Sequence, residues 1–201
     1  MEPRAIGLAE PPEGIAEEES ATPQFSAHRY GGFDTLAVDA GSNWTMTGSE
    51  TVPTILNNGT ISVTGALDVS TAVDPTSSGI FQLTANGSSL EVAADAGAAS
   101  QIQFLGSSKV IADNFSSFGT GIGTSSASGP LLESFGSGDS VDLRQFNYAP
   151  NLTLDFNTSS GLLKVSNGSQ TADLSFQTAS LGSGTFQATS DLANGVIITH
   201  S

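Results

Sequence analysis

The sequence predicts an all-β protein, a right-handed parallel β-solenoid (β-helix) followed by an antiparallel β-meander that caps it. Short alternating apolar segments recur about every 20 residues, the spacing typical of solenoid coils. A strand-turn-strand pattern runs from Leu131 to Phe176. Hydrophobic residues make up 37% of the chain and aromatic residues only 7%, so the core must be thin. A β-sandwich of shorter units is the alternative.

The chain divides into three segments. Residues 1–24 contain four prolines and six glutamates and have little to bury, so we expect a disordered acidic tail. Residues 25–130 are expected to form the solenoid coils. Residues 131–201 are expected to form the last coil and the antiparallel C-terminal cap.

Two offset sets of strands define the predicted coils. Phe25 to Ala40 supplies a first strand with Leu36 and Val38. The first set then consists of the pairs Trp44 and Met46, Ile61 and Val63, Phe81 and Leu83, and Ile102 and Phe104. The second set consists of Leu67 and Val69, Leu90 and Val92, and Val110. Each coil leaves its apolar face open, so several coils must stack and place Ile61, Phe81 and Ile102 in one interior column.

Glycines fall where the coils would turn. Asn58-Gly59, Gly65, Asn86-Gly87 and Gly106 mark the predicted corners. Residues 114–130 are rich in glycine and serine and carry only Phe115, Phe118 and Ile122 as anchors, which predicts a loop or a loosely ordered coil.

The C-terminal cap follows a period of two. Leu152, Leu154 and Phe156 predict one strand, Leu163 and Val165 a second, and Thr171 to Phe176 a third that presents Ala172, Leu174 and Phe176 on one face. Asn167-Gly168 predicts a type I′ turn with positive φ at both positions. Two closing strands follow, carrying Phe186 with Ala188 and Val196 with Ile198, joined through Asn194-Gly195.

The charge and the hydropathy of the chain each disfavour one class of partner. The chain has 20 acidic and 5 basic residues, a net charge of −15. Nucleic acid is not expected as a partner, because phosphate binding needs clustered Lys and Arg. Insertion into membranes is not expected, because no apolar segment approaches the ~20 residues of a membrane-spanning helix. The absence of cysteine excludes disulfides and thiolate metal sites.

The C-terminal half resembles a unit found near the C-termini of large repetitive proteins of alphaproteobacteria. The matching positions are Phe135, Gly138, Asp139, Asp142, Leu143, Phe146, Asn157, Gly161, Leu163, Val165, Gly168, Phe186, Asp191 and Gly195. The segment Asn86 to Val92 is similar to the coil that precedes that unit. The resemblance implies an autotransporter-like, haemolysin-like or adhesin-like protein. The chain would then be exported and lie outside the cell or on the bacterial surface.

One candidate metal site lies in the segment from Gly136 to Leu143. This segment is similar to a calcium-binding nonapeptide repeat, and Asp139 and Asp142 would supply oxygen ligands suited to calcium. Such sites need consecutive stacked repeats, and only one partial copy is present. The alternative is a turn in which Asp139 caps backbone N–H groups. We therefore expect no cofactor other than calcium at this site.

A carbohydrate-active β-helix enzyme is the main catalytic alternative. A glycosidase needs two carboxylates at a fixed separation. The available acids are Asp68, Asp74, Asp113, Asp139, Asp142 and Asp155, and the bases between Gly31 and Thr199 are Lys109, Arg144 and Lys164. A negative field repels acidic polymers. We therefore expect no enzyme activity and treat the acids as solvated strand residues.

The remaining candidates have simple structural explanations. His28 and His200 lie at opposite ends of the chain. Trp44, Tyr30 and Tyr148 could stack on a sugar, but Trp44 is expected to cap the first coil. Seven Asn-x-Ser/Thr motifs are expected to serve turns. The resulting hypothesis is a non-catalytic secreted or surface module. Its expected partner is a surface glycan, a protein or a second copy that associates through the solenoid ends.

Overall fold

The computed structural model describes residues 24–25, 34–118 and 129–201. Residues 1–23 of the predicted tail, His28, Tyr30 and Ile122 lie outside the described residues. Gln24 and Phe25 form a short strand that pairs with Thr45 and Met46. Nearly all the regular secondary structure in the described part of the chain is β-strand, as the composition and periodicity predict.

The strands of the parallel coils lie among the described residues between Gln24 and Leu143. These strands are β1 Gln24–Phe25, β2 Thr35–Val38, β3 Asn43–Met46, β4 Ser49–Asn57, β5 Thr60–Val63, β6 Ala66–Val73, β7 Ile80–Leu83, β8 Ser89–Val92, β9 Gln101–Phe104, β10 Lys109–Ala112, β11 Leu131–Glu133 and β12 Ser140–Leu143. The cap strands are β13 Thr153–Asn157, β14 Leu162–Ser166, β15 Thr171–Phe176, β16 Phe186–Ser190 and β17 Val196–His200. Short 3₁₀ helices span Phe115–Phe118 and Thr178–Ser180.

Two sheets face each other across the core. The first sheet has the order β1-β3-β5-β7-β9-β11-β15-β14-β13, and the second has the order β16-β17-β12-β10-β8-β6-β4-β2. Successive strands from β2 to β11 alternate between the two sheets, so each pair of strands makes one coil. The fold is therefore a β-solenoid with antiparallel extensions at its C-terminal end.

The strand registers align the apolar side chains in columns. In the first sheet Ile61 pairs with Phe81, Phe81 with Ile102, and Ile102 with Leu132, all in parallel registers. All four side chains are buried. The predicted interior column is thereby confirmed. The sandwich alternative is wrong, because its hairpin-connected strands would pair antiparallel.

A second column runs through the opposite sheet. Leu67 pairs with Leu90, Leu90 with Val110, and Val110 with Val141, again in parallel registers. These four side chains are at most 1% exposed. Both predicted strand sets therefore exist, one in each sheet.

Strand β4 is absent from the sequence prediction. Its inward residues Val52 and Ile55 are three positions apart, so they break the period of two. The register of β4 against β6 shifts between Val52 and Thr54, on either side of Pro53. A β-bulge here accommodates a proline that has no N–H to donate, and it returns Ile55 to the core.

The corners of the coils are tight enough to require glycine. A Cβ on Gly65 would lie 2.0 Å from the carbonyl oxygen of Gly48, and one on Gly59 would lie 2.4 Å from that of Ser42. Stacked corners bring backbone against backbone at these positions, so any side chain would collide. Both glycines lie at predicted corners.

Antiparallel strands extend both sheets beyond the last coil. β13, β14 and β15 form the predicted meander, and Ala172, Leu174 and Phe176 of β15 are buried as expected. β15 also pairs in parallel with β11, which joins the meander to the solenoid. β17 pairs antiparallel with β12, and Phe186 of β16 lies 4.9 Å from Phe156 between ring centroids. The cap thus closes the gap between the two sheets.

The predicted type I′ turn at Asn167-Gly168 is wrong. Ser166 pairs with Thr171, so a connection of four residues joins β14 and β15. Gly168 has a φ of 92°, but Asn167 is not left-handed. Instead the side chain of Asn167 accepts backbone N–H groups of Ser169 (3.0 Å) and Gln170 (2.8 Å). This Asx turn gives the backbone a local partner that a two-residue turn would not need.

Candidate functional site

The outer surface of the second sheet carries the largest group of interacting charges in the described part of the chain. We call Asp68, Glu91, Asp113, Asp142 and Arg144 the charged face. Asp68 of β6 pairs in register with Glu91 of β8. Arg144 Nη1 donates to Glu91 Oε1 and to Asp113 Oδ1, the second bond being 2.6 Å long.

Burial and ion pairing shift the pKa values of Glu91 and Arg144 in opposite directions. Burial raises the pKa of Glu91 above its ordinary value, although hydrogen bonding and attraction from Arg144 oppose that rise. Burial lowers the pKa of Arg144, but its bonds to Asp113 and Glu91 outweigh that effect and leave the pKa raised. The Arg144 side chain is 42% exposed, so solvent screens these pairs and they contribute little to stability.

Asp142 is the carboxylate with the least solvent contact on the charged face. Its register neighbours are Ile111 of β10 and Ile197 of β17, so two apolar side chains flank it. Asp142 is 8% exposed, and its Oδ1 has no hydrogen-bond partner. Burial raises the pKa of Asp142, while attraction from Lys109 and Arg144 lowers it in part.

A groove of about 370 Å³ opens on the same surface, and Asp142 does not line it. We call it the serine groove. Its floor is a row across three strands, in which Ser89 pairs with Lys109 and Lys109 with Ser140. Ser107 and Gly138 border it at the corners, and Ile111 lies in the next row. That row continues from Ile111 to Glu91 on one side and to Asp142 on the other.

Asp139 is fully engaged with the backbone of two corners. Its Oδ1 accepts the N–H of Ser108 (3.0 Å), and its Oδ2 accepts the N–H of Gly136 (2.9 Å). Burial raises the pKa of Asp139, and the bonds from Gly136 and Ser108 oppose the rise. Asp139 therefore occupies the position of a turn cap, the alternative to a calcium ligand.

The two predicted calcium ligands face different surroundings. Asp139 binds backbone at the corner, whereas Asp142 lies within β12 between two isoleucines. Among the described residues, no group of three or more His, Cys, Asp or Glu side chains could hold a metal ion. Calcium binding by these residues stays a prediction.

The acids of the catalytic alternative fall into two groups, and three of them, Asp68, Asp113 and Asp142, belong to the charged face. Asp68 and Asp113 lie with Arg144 on the second sheet, whereas Asp155 lies on β13 in the first sheet. Asp74 lies at a corner, where its Oδ1 accepts the N–H (2.8 Å) and the hydroxyl (2.6 Å) of Thr76, which lowers its pKa. Three of the acids therefore share one surface with Arg144, whereas Asp74 and Asp155 lie apart from it.

His200 and Trp44 pack against the core, whereas Tyr148 is exposed. His200 is buried, with its ring 4.9 Å from that of Phe186. Trp44 is half-buried against the core and pairs in register with Ile61, in the place expected of a cap over the first coils. Tyr148 is 45% exposed beyond β12.

The asparagines of several Asn-x-Ser/Thr motifs stabilise turns. The side chain of Asn86 accepts the N–H of Ser107 (3.0 Å), and that of Asn157 accepts the N–H of Ser159 (2.9 Å). Asn114 accepts the N–H of Ser116 in the same way (3.1 Å). These bonds are the ones that the turn interpretation requires.

A ladder of amides on the outer surface of the first sheet is missing from the sequence prediction. Gln82 Nε2 donates to Gln103 Oε1 (2.9 Å), and Gln103 Nε2 donates to Glu133 Oε2 (2.7 Å). Gln177 Nε2 donates to Glu133 Oε1 (2.9 Å), and Ser62 Oγ donates to Gln82 Oε1 (3.3 Å). The sequence contains a signal for this ladder, because the repeat places Gln82 and Gln103 at equivalent positions. Gln82 lies between Phe81 and Leu83, and Gln103 lies between Ile102 and Phe104.

Comparison with protein-family models, with curated proteins and with solved structures found no match to this chain. Among the described residues, no helix has the length and apolar character needed to cross a membrane.

Proposed function

We propose that this protein is a non-catalytic structural or adhesion module, secreted or displayed on the surface of a bacterial cell. The observation that carries the proposal is the in-register stacking of the coils. The parallel pairings of β5, β7 and β9 keep one register throughout. Such a stack is rigid and presents two broad polar surfaces, as an extended binding surface requires.

The distribution of charge supports the same role. The chain carries a net charge of −15, and Glu91 and Asp113 form ion pairs with Arg144. A surface exposed to other macromolecules gains solubility from such an excess of charge. The resemblance to exported repetitive proteins of alphaproteobacteria points to the same location.

A surface glycan or a protein is the partner that suits this module, with self-association through the solenoid ends as a further mode. Edge strands β13 and β16 lie side by side at the C-terminal end and leave backbone groups open to a new strand. Nucleic acid does not suit the acidic surface.

Antibody labelling of intact cells that produce the protein tests the proposed location. We expect labelling without permeabilisation and loss of the signal after protease treatment of whole cells. Labelling that needs permeabilised cells would contradict the proposal. A parallel assay for new reducing ends after incubation with neutral and acidic polysaccharides tests the non-catalytic role, and release of such ends would support the enzyme alternative.

A further inference from the structure

We propose that Asn194 is a site of spontaneous deamidation, and that its conversion to isoaspartate loosens the hairpin of β16 and β17. The chain contains four Asn-Gly dipeptides, Asn58-Gly59, Asn86-Gly87, Asn167-Gly168 and Asn194-Gly195. Their local sequences make them equal candidates for this modification, whereas the structure separates one of them from the other three. The inference goes beyond the proposed adhesion role and does not depend on it.

The reaction needs only the asparagine, the glycine that follows it and water. The backbone nitrogen of the glycine attacks the side-chain carbonyl carbon of the asparagine, and the bond from that carbon to the side-chain nitrogen breaks. The side-chain nitrogen takes up the proton that the attacking N–H loses and leaves as ammonia, so that a succinimide ring remains. Water then opens the ring at either carbonyl, which gives aspartate or isoaspartate. Glycine favours the attack because it has no side chain to obstruct the ring.

Two of the four asparagines are held by hydrogen bonds between stacked corners. Asn58 Oδ1 accepts the N–H (3.2 Å) and the hydroxyl (3.1 Å) of Ser78. Asn86 Oδ1 accepts the N–H of Ser107 (3.0 Å), and the N–H of Gly87 donates to the carbonyl oxygen of Ser107 (2.7 Å). Attack at either position therefore requires one corner to separate from the next.

Asn167 is held by bonds to both ends of its carboxamide. It is 9% exposed, and its Oδ1 accepts the N–H groups of Ser169 and Gln170. Its Nδ2 donates to the carbonyl oxygen of Asn147 (2.8 Å). The carbonyl carbon of Asn167 can turn towards Gly168 only if these bonds break together.

Asn194 is exposed at the tip of the hairpin, and its carboxamide has no hydrogen-bond partner within the described part of the chain. The bonds that brace the tip are local, since Asp191 Oδ1 accepts the N–H groups of Ala193 (2.7 Å) and Gly195 (2.6 Å). Leu192 and Asn194 have left-handed backbones, with φ of 67° and 76°, a conformation that costs free energy in residues other than glycine. The tip can therefore open without unstacking a coil, and opening frees the nitrogen of Gly195 for attack.

Isoaspartate at this position is incompatible with the closed tip. It directs the main chain through the former side chain and so adds one carbon before the nitrogen of Gly195. Gly195 is buried, and a Cβ on it would lie 2.9 Å from the carbonyl oxygen of Leu143. The longer main chain must displace Gly195 from this position. The start of β17, where Val196 pairs with Leu143, is then loosened.

Peptide mapping of the folded, complete chain after incubation at neutral pH tests the choice of site. Chymotrypsin cleaves after phenylalanine, so Phe176 and Phe186 allow Asn167 and Asn194 to be placed on separate peptides, and tandem mass spectrometry locates each new acid. We expect Asn194 to convert about tenfold faster than the other three asparagines, the scale of one additional hydrogen bond at each of those sites. In concentrated urea, the matched control, the four rates should become similar. Equal rates in the folded chain would overturn the proposal, as would a preference for Asn194 that persists in urea.

Substitution of Asp191 tests the restraint on Gly195. Asp191→Ala removes both bonds to the loop and should speed the conversion of Asn194 about tenfold, while the other three sites keep their rates. Asp191→Asn keeps an acceptor oxygen and should give a smaller increase. Asp155→Ala removes an exposed acid from the other sheet and should change nothing. An unchanged or slower conversion of Asn194 in both Asp191 variants would overturn the proposed opening of the tip.

Hydrogen exchange measured by mass spectrometry tests the loosening of the hairpin. The aged chain that carries isoaspartate should exchange faster in β16 and β17 than the Asn194→Asp variant, which has the same charge on a main chain of normal length. Equal exchange of the two forms would overturn this part of the proposal. All of these outcomes are independent of cell-surface labelling, so the modification site and the proposed location can fail separately.

Discussion

Asp173 is a buried carboxylate that destabilises the folded chain when it is ionised. Asp173 lies on the outward side of β15, yet it is 1% exposed, and neither of its oxygens has a hydrogen-bond partner. Its register neighbour is Lys164 of β14. Burial raises the pKa of Asp173, and the attraction of Lys164 offsets the rise only in part. The carboxyl group therefore binds its proton more tightly in the folded chain than in the unfolded chain.

Asp173→Asn should stabilise the protein at neutral pH. Because the folded pKa is raised, the stability contributed by Asp173 is complete below the unfolded value of ~3.9 and falls as pH rises towards the folded value. Removal of the charge should increase the free energy of unfolding at pH 7 by on the order of 1 kcal/mol, the scale of an unsatisfied buried group. Urea unfolding at pH 4 and pH 7 measures the difference.

The exposed Asp155 provides the control for that measurement, since it lies in the same row of the sheet as Lys164. Asp155→Asn should leave stability almost unchanged at both pH values. Equal effects of the two substitutions, or a destabilising effect of Asp173→Asn at pH 7, would contradict the interpretation of Asp173.

Calcium should leave the melting temperature unchanged. The two oxygens of Asp139 already accept backbone N–H groups, so a cation would have to displace both bonds. Differential scanning calorimetry with EDTA and with excess calcium makes the comparison. A calcium-dependent rise that disappears in Asp142→Asn would instead support the calcium site that the sequence motif suggests.

At the scale of elements, the corners decide how closely the coils can stack. Gly65→Ala should destabilise the protein by about 3 kcal/mol, the upper part of the range for overpacking. The added methyl would lie 2.0 Å from the carbonyl oxygen of Gly48, so a corner would have to open. Gly136→Ala is the control, because a methyl there meets nothing within 4 Å. Chemical denaturation of both variants should separate them clearly.

The amide ladder should be sensitive to charge. Gln103 and Glu133 pair in register, so Gln103→Glu places two carboxylates directly opposite each other. We expect a loss of about 1–2 kcal/mol, since one hydrogen bond is lost and a repulsion is added. Gln187→Glu on the exposed strand β16 opposes Thr199 instead and should have little effect. Similar melting temperatures of the two variants would show that the ladder is not important for stability.

Elements with an unbroken period of two could be predicted from the sequence, and those whose pairing depends on distant backbone could not. The spacing of Ile61, Phe81 and Ile102 alone predicts their strands and their common column. Strand β4 could not be predicted, because the bulge at Pro53 hides its inward residues. The turn at Asn167 was predicted wrongly, because the Asn-Gly dipeptide does not specify the length of its connection.

At the scale of the whole molecule, the candidate site depends on contacts that no local pattern contains. Glu91 and Arg144 are 53 residues apart and meet only because β8, β10 and β12 are consecutive neighbours in one sheet. The serine groove likewise draws its floor from three coils. Lys109, Arg144 and Asp142 are candidate residues in the sequence, but only the sheet order brings them onto one surface.

The uniform register of the coils from β5 to β10 makes this part of the protein a spacer whose length can be changed by inserting coils. Residues 80–100 comprise one coil, and both neighbouring coils pair with it without a register shift. A second copy inserted after Ser100 should fold as an extra layer and lengthen the particle by about 4.8 Å, one strand separation. Small-angle X-ray scattering would detect a series of such insertions as a linear increase in maximum dimension, and a branched or unchanged particle would show that the layers are not interchangeable.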